Sequence, residues 1–263
     1  MIFLRSIVLK QKIEECSFPF TLPVFKDFET IEFKSPVTFF VGENGSGKST
    51  LIEAIAYGMN AIAVGSEDLN TDISLQHIRV FSSYLRFVKN RRPKRGFFFR
   101  AEDFFGFIKR IKTEVTEFKA LESEFEDRFT GYGKLLATGM AKNQHSALRS
   151  RYGEDADAFS HGEAFLNIFK SRLAPEGLYI LDEPETPLSP QKQLSLLSLI
   201  KKMVEKSCQF IIASHSPMLM AFPEAQILSF DAQRIKSIAY DDVHHVALTK
   251  SFLNNPDNYI RQL

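Results

Sequence analysis

The sequence predicts an α/β fold whose core is a mainly parallel sheet. Three continuous apolar runs, at 36–41, 177–182 and 209–213, have the composition of strands that are buried on both faces. Helical patterns follow the first two runs, at 49–60 and 191–206. Buried strands that alternate with helices are typical of parallel sheets, because each helix carries the chain back to the start of the next strand.

Shorter patterns predict the elements around this core. Further strands or strand-like segments are predicted at 2–10, 20–25, 29–34, 77–87, 96–105, 227–230 and 235–240. Further helices are predicted at 103–130, 162–173 and 246–255. Ser189 and Pro190 have the order of a helix cap and a first helical residue. The apolar side chains at helical spacing in the following helix are Leu194, Leu197, Ile200 and Val204.

The composition is that of an ordinary globular protein of 263 residues, with 44% hydrophobic residues. Its 33 Lys and Arg residues nearly balance 32 Asp and Glu residues, so overall charge gives no argument for nucleic acid or an anionic membrane. No apolar stretch reaches the ~18 residues that would span a bilayer. The two cysteines, Cys16 and Cys208, are far apart, which favours a reducing compartment. We therefore expect a cytoplasmic protein without a membrane segment.

The segment VGENGSGKST follows the first buried run and precedes a helix. It matches G-x-x-x-x-G-K-[ST], and glycines at this spacing let successive backbone N–H groups face a phosphate at the start of a helix. In this pattern Lys48 contacts the β- and γ-phosphates, and Ser49 offers a hydroxyl to Mg²⁺. The alternative is an incidental glycine-rich turn. The predicted nucleotide-binding residues are Gly42, Asn44, Gly45, Ser46, Gly47, Lys48, Ser49 and Thr50.

Two carboxylates, Asp182 and Glu183, come at the end of the second buried run. Ligands of open α/β sheets bind outside the carboxyl ends of the strands. Asp182 is therefore predicted to hold Mg²⁺, and Glu183 to polarise the attacking water. The alternative is an acidic pair at the start of a helix, since Pro184 follows.

The order of four motifs gives a family resemblance: the phosphate loop, SHGE at 160–163, LDEPE at 181–185 and ASHSP at 213–217. This order resembles an ABC-type ATPase, nearer the RecF and SMC branch than the transporter branch. The whole chain also resembles small stand-alone proteins often named AAA family ATPases. The resemblance implies a P-loop ABC-ATPase fold in one domain, 1–263. It divides the domain into a core lobe (about 1–100 and 175–263, with an antiparallel β subdomain) and a small helical lobe (about 101–174).

The resemblance also implies roles for individual residues. Ser160 and Gly162 would cap the γ-phosphate bound to the opposite subunit, although His161 stands where the family has glycine. His215 matches the histidine that contacts the γ-phosphate, and with Glu183 and Lys48 it completes the catalytic set. Glu102 is the nearest polar candidate for the family's glutamine position, with Arg100 beside it. The candidates for stacking on adenine are Phe18, Phe20 and Phe25.

The resemblance implies a homodimer, or a higher homo-oligomer, that binds ATP and Mg²⁺ and hydrolyses ATP. Three functions stay open: an ATPase serving DNA repair or anti-phage defence with a nuclease or toxin partner, a transporter subunit, and a nucleotide-gated scaffold. The basic run 86–95 is either a DNA contact, through Arg91, Arg92, Lys94 and Arg95, or a solvated hairpin tip. The remaining histidines are interpreted as structural or surface residues, namely His77, His145, His244 and His245.

Overall fold

The computed structural model describes residues 1–11, 17–64, 69, 71–104, 106, 109, 113, 117, 120 and 161–261. Its strands are β1 Leu4–Leu9, β2 Thr30–Glu32, β3 Val37–Val41, β4 Ile62–Val64, β5 Leu85–Lys89, β6 Arg95–Arg100, β7 Gly177–Asp182, β8 Gln209–Ala213, β9 Gln226–Ser229 and β10 Lys236–Ile238. Its α-helices are α1 Pro23–Lys26, α2 Lys48–Gly58, α3 Gln76–Ser83, α4 His161–Arg172, α5 Pro190–Glu205, α6 Pro217–Met220, α7 His244–Asn254 and α8 Pro256–Ile260. Short 3₁₀ turns lie at Ile73–Leu75 and Tyr240–Asp242.

The strands form two sheets. The larger sheet has the order β10-β9-β3-β8-β7-β6-β4, and all its neighbours are parallel except the pair β9 and β10. The smaller sheet is antiparallel, with the order β2-β1-β5. The predicted α/β class, with a mainly parallel core and an antiparallel β portion, is confirmed. The three continuous apolar runs become the central strands β3, β7 and β8, whose residues are all buried.

The core lies on both faces of the larger sheet. On one face α2 and α3 pack between the two sheets, and on the other face α4 and α5 cover the strands. Phenylalanine fills much of both layers, so many of the 26 Phe residues of this chain without Trp belong to the core. The ring of Phe99 meets those of Phe165 and Phe104, with centroids 4.9 and 5.7 Å away. Such tilted pairs add about 0.5–1.5 kcal/mol each to the stabilisation from burial.

Several local predictions were wrong. Within 20–25, Pro23 opens the short helix α1, because proline fixes a helical φ and is accommodated at a first helical position. Segment 77–87 is helix as far as Ser83 and becomes a strand only at Leu85. Segment 96–105 leaves the sheet after Arg100, and residues 101–104 are helical. Most of the helix predicted at 103–130 lies outside the described residues.

The two long helices of the last third were predicted more closely. Ser189 and Pro190 occupy the cap and first position of α5, although the Ser189 hydroxyl makes no capping hydrogen bond. The buried face of α5 differs from the predicted spacing and consists of Leu196, Ile200 and Met203, whereas Leu194 is 54% exposed. The closing helix α7 begins two residues before the predicted start at 246.

A buried side chain, Gln209, joins the two sheets. It opens β8 and is fully inaccessible to solvent. Its Oε1 accepts hydrogen bonds from the backbone N–H groups of Phe3 (2.7 Å) and Leu4 (2.9 Å), and its Nε2 donates to the carbonyl of Leu4 (3.0 Å). Three buried backbone groups near the start of β1 therefore depend on one amide. An unsatisfied buried polar group costs about 1–3 kcal/mol.

We expect Gln209→Leu to lower the free energy of unfolding by about 3 kcal/mol or more, because it leaves those three groups unpaired. Gln226→Leu is the matched control. Gln226 also bonds two backbone groups of another segment, the N–H of Lys34 and the carbonyl of Glu32, but these two hydrogen bonds are exposed and water can replace them. Its part-buried contact with the Thr38 hydroxyl is long, at 3.5 Å. Urea unfolding of both variants tests the comparison, and an equal loss in the two variants would contradict it.

Candidate nucleotide-phosphate site

The predicted phosphate loop runs from the end of β3 to the start of α2. Three of its glycines have positive φ, with values of 146° at Gly42, 79° at Gly45 and 101° at Gly47. At Gly47 a Cβ atom would also lie 3.2 Å from the buried ring of Phe25. Glycine is the residue that adopts such angles without steric cost, so the sequence permits the curled backbone that the motif predicts. The loop turns its amides toward the N-terminus of α2, where the helix dipole favours an anion.

Lys48 is buried at the first position of α2. Its Nζ donates to the carbonyl oxygens of Gly42 and Glu43, both at 2.7 Å. Burial lowers the pKa of this ammonium, whereas the carboxylates of Asp182, Glu183 and Asp231 act in the opposite direction. A cation held by loop carbonyls can exchange those weak partners for phosphate oxygens, to which its hydrogen bonds are stronger.

Asp182 ends β7 and is 4% exposed. Its Oδ1 accepts a hydrogen bond of 3.3 Å from the Ser49 hydroxyl in the first turn of α2. Burial raises the pKa of the Asp182 carboxyl to about 7, and Glu53 and Glu183 contribute in the same direction. A carboxylate that is costly to ionise in isolation favours a nearby cation. The hydroxyl and carboxylate oxygens of these two residues are ligands of the kind that Mg²⁺ prefers, so the residues fit the predicted metal.

Glu183 and His215 face each other beside this pair. Glu183 has a left-handed backbone, with φ of 49°, and its N–H donates to the carbonyl of Ala213 at the end of β8. Its side chain is 44% exposed, and its Oε1 lies 3.8 Å from Nε2 of His215. A strained backbone angle in a non-glycine residue is frequent at functional sites. The strain here places a carboxylate at the open edge of the sheet, next to the phosphate loop.

Glu185 holds the His215 segment in place, and sequence analysis missed it. This buried carboxylate accepts a hydrogen bond from the backbone N–H of His215 (2.6 Å) and from the Ser214 hydroxyl (2.9 Å). Burial raises the pKa of the Glu185 carboxyl. The carboxylate links the segment after β7 to the segment after β8. Its position two residues after Glu183 was the available signal, but the partner lies 30 residues away in the chain.

Arg100 forms a compact ionic cluster at the end of β6. Its Nη1 donates to Glu53 on α2 at 2.6 Å, and its Nε donates to Asp103 at 3.0 Å. In the sheet register Arg100 lies opposite Asp182. Glu102, the candidate for the family's glutamine position, is exposed. The cluster therefore connects Arg100 to the helix of the phosphate loop, while the role proposed for Glu102 stays a prediction.

The three candidate adenine-stacking rings differ sharply in exposure. Phe20 and Phe25 are 3% and 0% exposed and belong to the core, so neither presents a free face to a base. Phe18 is 50% exposed and lines a cavity of about 290 Å³ together with Gly47, Lys48 and Glu183. Its ring also contacts His77, with centroids 5.0 Å apart. Of the three candidate rings, Phe18 is therefore the one that is exposed enough to stack on adenine.

The predicted signature is only partly described. Ser160 lies outside the described residues, as does the side chain of His161. Gly162 is buried at the start of α4, and a Cβ atom there would lie 2.8 Å from the carbonyl oxygen of Pro187. The close approach of this backbone explains why glycine occupies position 162. The described contacts do not join Gly162 to the phosphate loop of the same chain.

The basic run lies at the opposite edge of the larger sheet. Arg95 opens β6 and pairs with Gly177 at the start of β7, whereas the site forms at the ends of these strands. Lys89, Arg91, Arg92, Lys94 and Arg95 are exposed and line a groove of about 650 Å³. Lys94 pairs with Glu176 at 2.9 Å. The run is therefore separate from the phosphate site.

Comparison with known proteins agrees with this geometry. A family profile described as an AAA domain matches residues 20–144, and one described as "AAA domain, putative AbiEii toxin, Type IV TA system" matches residues 164–221. The vitamin B12 import ATP-binding protein BtuD of Vibrio atlanticus is 27% identical over 68% of each chain. The ergothioneine transport ATP-binding protein EgtV of Helicobacter pylori is 27% identical over 86% of this chain and 97% of that protein.

The two profiles and these relatives support an ABC-type ATPase, and the family resemblance predicted from the motifs is confirmed. Solved structures similar to this chain include an Smc head domain from Pyrococcus furiosus, with 14% identity, coverage of 95% of this chain and 100% of that chain, and a TM-score of 0.48. Another is a nucleotide-free ATP-binding cassette from an ABC transporter, with 17% identity, coverage of 97% of this chain and 96% of that chain, and a TM-score of 0.47.

The burial of Asp182 predicts that the stability of this protein depends on pH when Mg²⁺ is absent. Its pKa of about 7 in the folded protein lies above the value of about 3.9 for an unfolded chain. The folded state therefore holds the proton more tightly, and the contribution to stability is present at low pH and lost as the pH rises toward and through 7. We expect Asp182→Asn to be more stable than wild type at pH 8. The free energy of unfolding of the variant minus that of wild type should be larger at pH 8 than at pH 5, by on the order of 1–2 kcal/mol.

Thermal unfolding in Mg²⁺-free buffer at the two pH values measures this difference. Glu205→Gln is the matched control, because it removes an exposed carboxylate that is not among the groups acting on Asp182. Its effect on the melting temperature should differ between pH 5 and pH 8 by less than that of Asp182→Asn. A destabilised Asp182→Asn protein at pH 8 would mean that its partners favour the charged carboxylate.

Proposed function

We propose that this protein hydrolyses ATP in a Mg²⁺-dependent reaction and that ATP binding joins two subunits. The observation that carries the proposal is the convergence at one sheet edge of the phosphate loop with Lys48, the Ser49–Asp182 pair and the Glu183–His215 pair. These groups combine positive charge for phosphates, oxygen ligands for a cation and a carboxylate for water. Together they have the components of phosphoryl transfer.

Each side chain has a defined part in the proposed reaction. Water attacks the γ-phosphorus, a new P–O bond forms, and the bond to the bridging oxygen of ADP breaks. Glu183 orients the water and takes up its proton, while Lys48 and the loop amides stabilise the negative charge of the phosphoryl group. His215 contacts the terminal phosphate through its ring. Mg²⁺ bound by Ser49 and Asp182 would supply further neutralisation of the phosphate charge.

The site is open on the side where a second subunit would close it. Asn44, Gly45, Ser49 and Glu183 all reach solvent. We propose that Ser160 and Gly162 of a second copy cover this side, which makes a single subunit an incomplete catalyst. The binding energy of ATP would then appear as dimer closure, and hydrolysis would reverse it.

We propose that this cycle regulates or drives a partner in DNA repair or anti-phage defence, in the cytoplasm. The description of the second family profile, which names a putative toxin of a type IV toxin–antitoxin system, supports a role in defence. The alternative is a transporter subunit, which the names of BtuD and EgtV favour. None of the helices in the described residues is long and apolar enough to cross a bilayer. A membrane partner that copurifies with the protein would select the transporter alternative, and negligible turnover with intact ATP binding would select a nucleotide-gated scaffold.

The basic groove supports DNA as a partner. Arg91, Arg92 and Arg95 are exposed. Lys94 and then Arg91 lower the pKa of the Glu176 carboxyl, so these two cations are partly balanced within the protein. Exposed cations can release counterions from a phosphate backbone on binding. The groove lies at the opposite edge of the sheet from the nucleotide, so DNA and ATP would not compete for space.

We expect Glu183→Gln to bind Mg-ATP with near-normal affinity and to hydrolyse it at least about 100-fold more slowly, because the amide cannot accept a proton from water. The variant should accumulate as a dimer with ATP, since closure is no longer reversed. Phosphate release and light scattering coupled to size-exclusion chromatography measure both effects.

Lys48→Ala is the control for dimerisation. It removes the cation that contacts the phosphates, so it should stay monomeric at the same ATP concentration. If Glu183→Gln retains full activity, the assignment of this carboxylate is wrong. If Glu183→Gln stays monomeric with saturating Mg-ATP, the proposed closure is wrong.

We expect replacement of Arg91, Arg92, Lys94 and Arg95 by Ala to weaken duplex DNA binding by at least about tenfold and to reduce its dependence on salt. The matched control replaces four other exposed cations, Lys170, Lys201, Lys202 and Lys236. Fluorescence anisotropy at several salt concentrations measures the DNA affinity of both variants and its dependence on salt. DNA binding that is equal in both variants would identify the run as a solvated hairpin tip.

A further inference from the structure

His245 lies beside His215, although 30 residues separate them in the chain. His215 follows β8, and His245 belongs to the first turn of α7. Nδ1 of His215 and Nε2 of His245 are 3.2 Å apart, and the rings meet edge to face with centroids 5.0 Å apart. Two ring nitrogens at this distance form a hydrogen bond in which one ring donates and the other accepts.

The direction of this hydrogen bond decides what His215 presents to the phosphate site. A neutral imidazole carries one N–H. If His245 donates, the proton of His215 is on Nε2, which then acts as a donor. If His215 donates from Nδ1, its Nε2 has only a lone pair and cannot donate to a phosphate oxygen.

The surroundings of His215 favour the first arrangement. Its Nε2 is buried, has no hydrogen-bond partner among the described residues, and lies 3.8 Å from the Glu183 carboxylate. A carboxylate attracts an N–H and repels a lone pair. Burial and then the charge of Lys48 lower the pKa of His215, which favours the neutral ring. The charged or titratable groups that face it are Lys48, Glu183, His245 and Asp231.

We propose that His245 is a positioning residue: its Nε2–H donates to Nδ1 of His215 and holds His215 in the tautomer that offers Nε2–H to the terminal phosphate of the nucleotide. The inference rests on the proposed function, because that function supplies the phosphate. Sequence analysis interpreted His245 as a structural or surface residue, because it shows no metal-ligand spacing with Cys or carboxylates. The structure instead brings α7 to the nucleotide edge of the sheet.

Three variants separate positioning from packing. His245→Gln keeps an amide N–H that can donate to Nδ1 of His215, whereas His245→Phe keeps a ring and removes the donor. His244→Phe changes the exposed neighbour and is the matched control. We expect the kcat for Mg-ATP hydrolysis to fall about tenfold in His245→Phe, as for the loss of one hydrogen bond, and to recover largely in His245→Gln. The affinity for ADP, which lacks the terminal phosphate, should be equal in all three.

Nitrogen NMR of the histidine side chains tests the tautomer without any turnover. In the wild-type protein, the Nε2 of His215 should carry the proton and the Nδ1 should not. His245→Phe should lose this preference, and His245→Gln should keep it. This measurement stays decisive even if the protein proves to hydrolyse no ATP, so a failure of the proposed function is distinguishable from a failure of the inference.

Two results would overturn the inference. One is a wild-type spectrum with the proton of His215 on Nδ1. The other is a His245→Phe protein with unchanged kcat. If His245→Phe does not fold, the wild-type spectrum and the kcat and spectrum of His245→Gln decide between the two directions of the hydrogen bond, because only a donated proton from position 245 fixes Nε2–H.

Discussion

The site depends on one constraint: the carboxyl ends of four neighbouring parallel strands meet at the same edge of the sheet. The ends of β3, β6, β7 and β8 bring together the phosphate loop, Arg100, the carboxylate pair and His215. These segments are far apart in the chain. Because each strand is buried on both faces, a shift of register would move apolar side chains into water, and this fixes the relative height of the strand ends. The relative positions of the site residues are therefore set by the packing of the core strands.

Burial gives this edge its electrostatic character. Lys48 and Asp182 are both nearly inaccessible, and the pKa of each is shifted toward its neutral form. A site of this kind is costly to maintain without a ligand, because each charge has lost most of its hydration. Phosphate oxygens and a divalent cation provide the opposite charges at once. The same desolvation that weakens the free protein strengthens its interactions with a charged ligand.

Patterns within one segment of the sequence predicted the features that are formed by that segment alone. The three central strands and the phosphate loop each have a continuous signature, so the sequence was sufficient for the fold class and for placing Lys48 and Asp182 at one edge of the sheet. The helix at Pro23 was missed because its neighbours alternate as a strand does. Glu185 and His245 were missed because their partners come from other segments, and only tertiary packing brings them within hydrogen-bond distance. The Ser160 segment lies outside the described residues, so the trans arrangement stays a prediction.

Strand β6 has a different neighbour at each end. Arg95 begins it in the basic groove, and Arg100 finishes it in the ionic cluster with Glu53. Five steps of about 3.3 Å separate these residues by roughly 17 Å, so the groove and the ionic cluster lie at opposite ends of one strand. Arg100 pairs with Glu53 on α2, so a displacement of β6 along its axis would be passed to the helix that follows the phosphate loop. Because β6 is hydrogen-bonded to β4 on one side and β7 on the other, its two ends would move together.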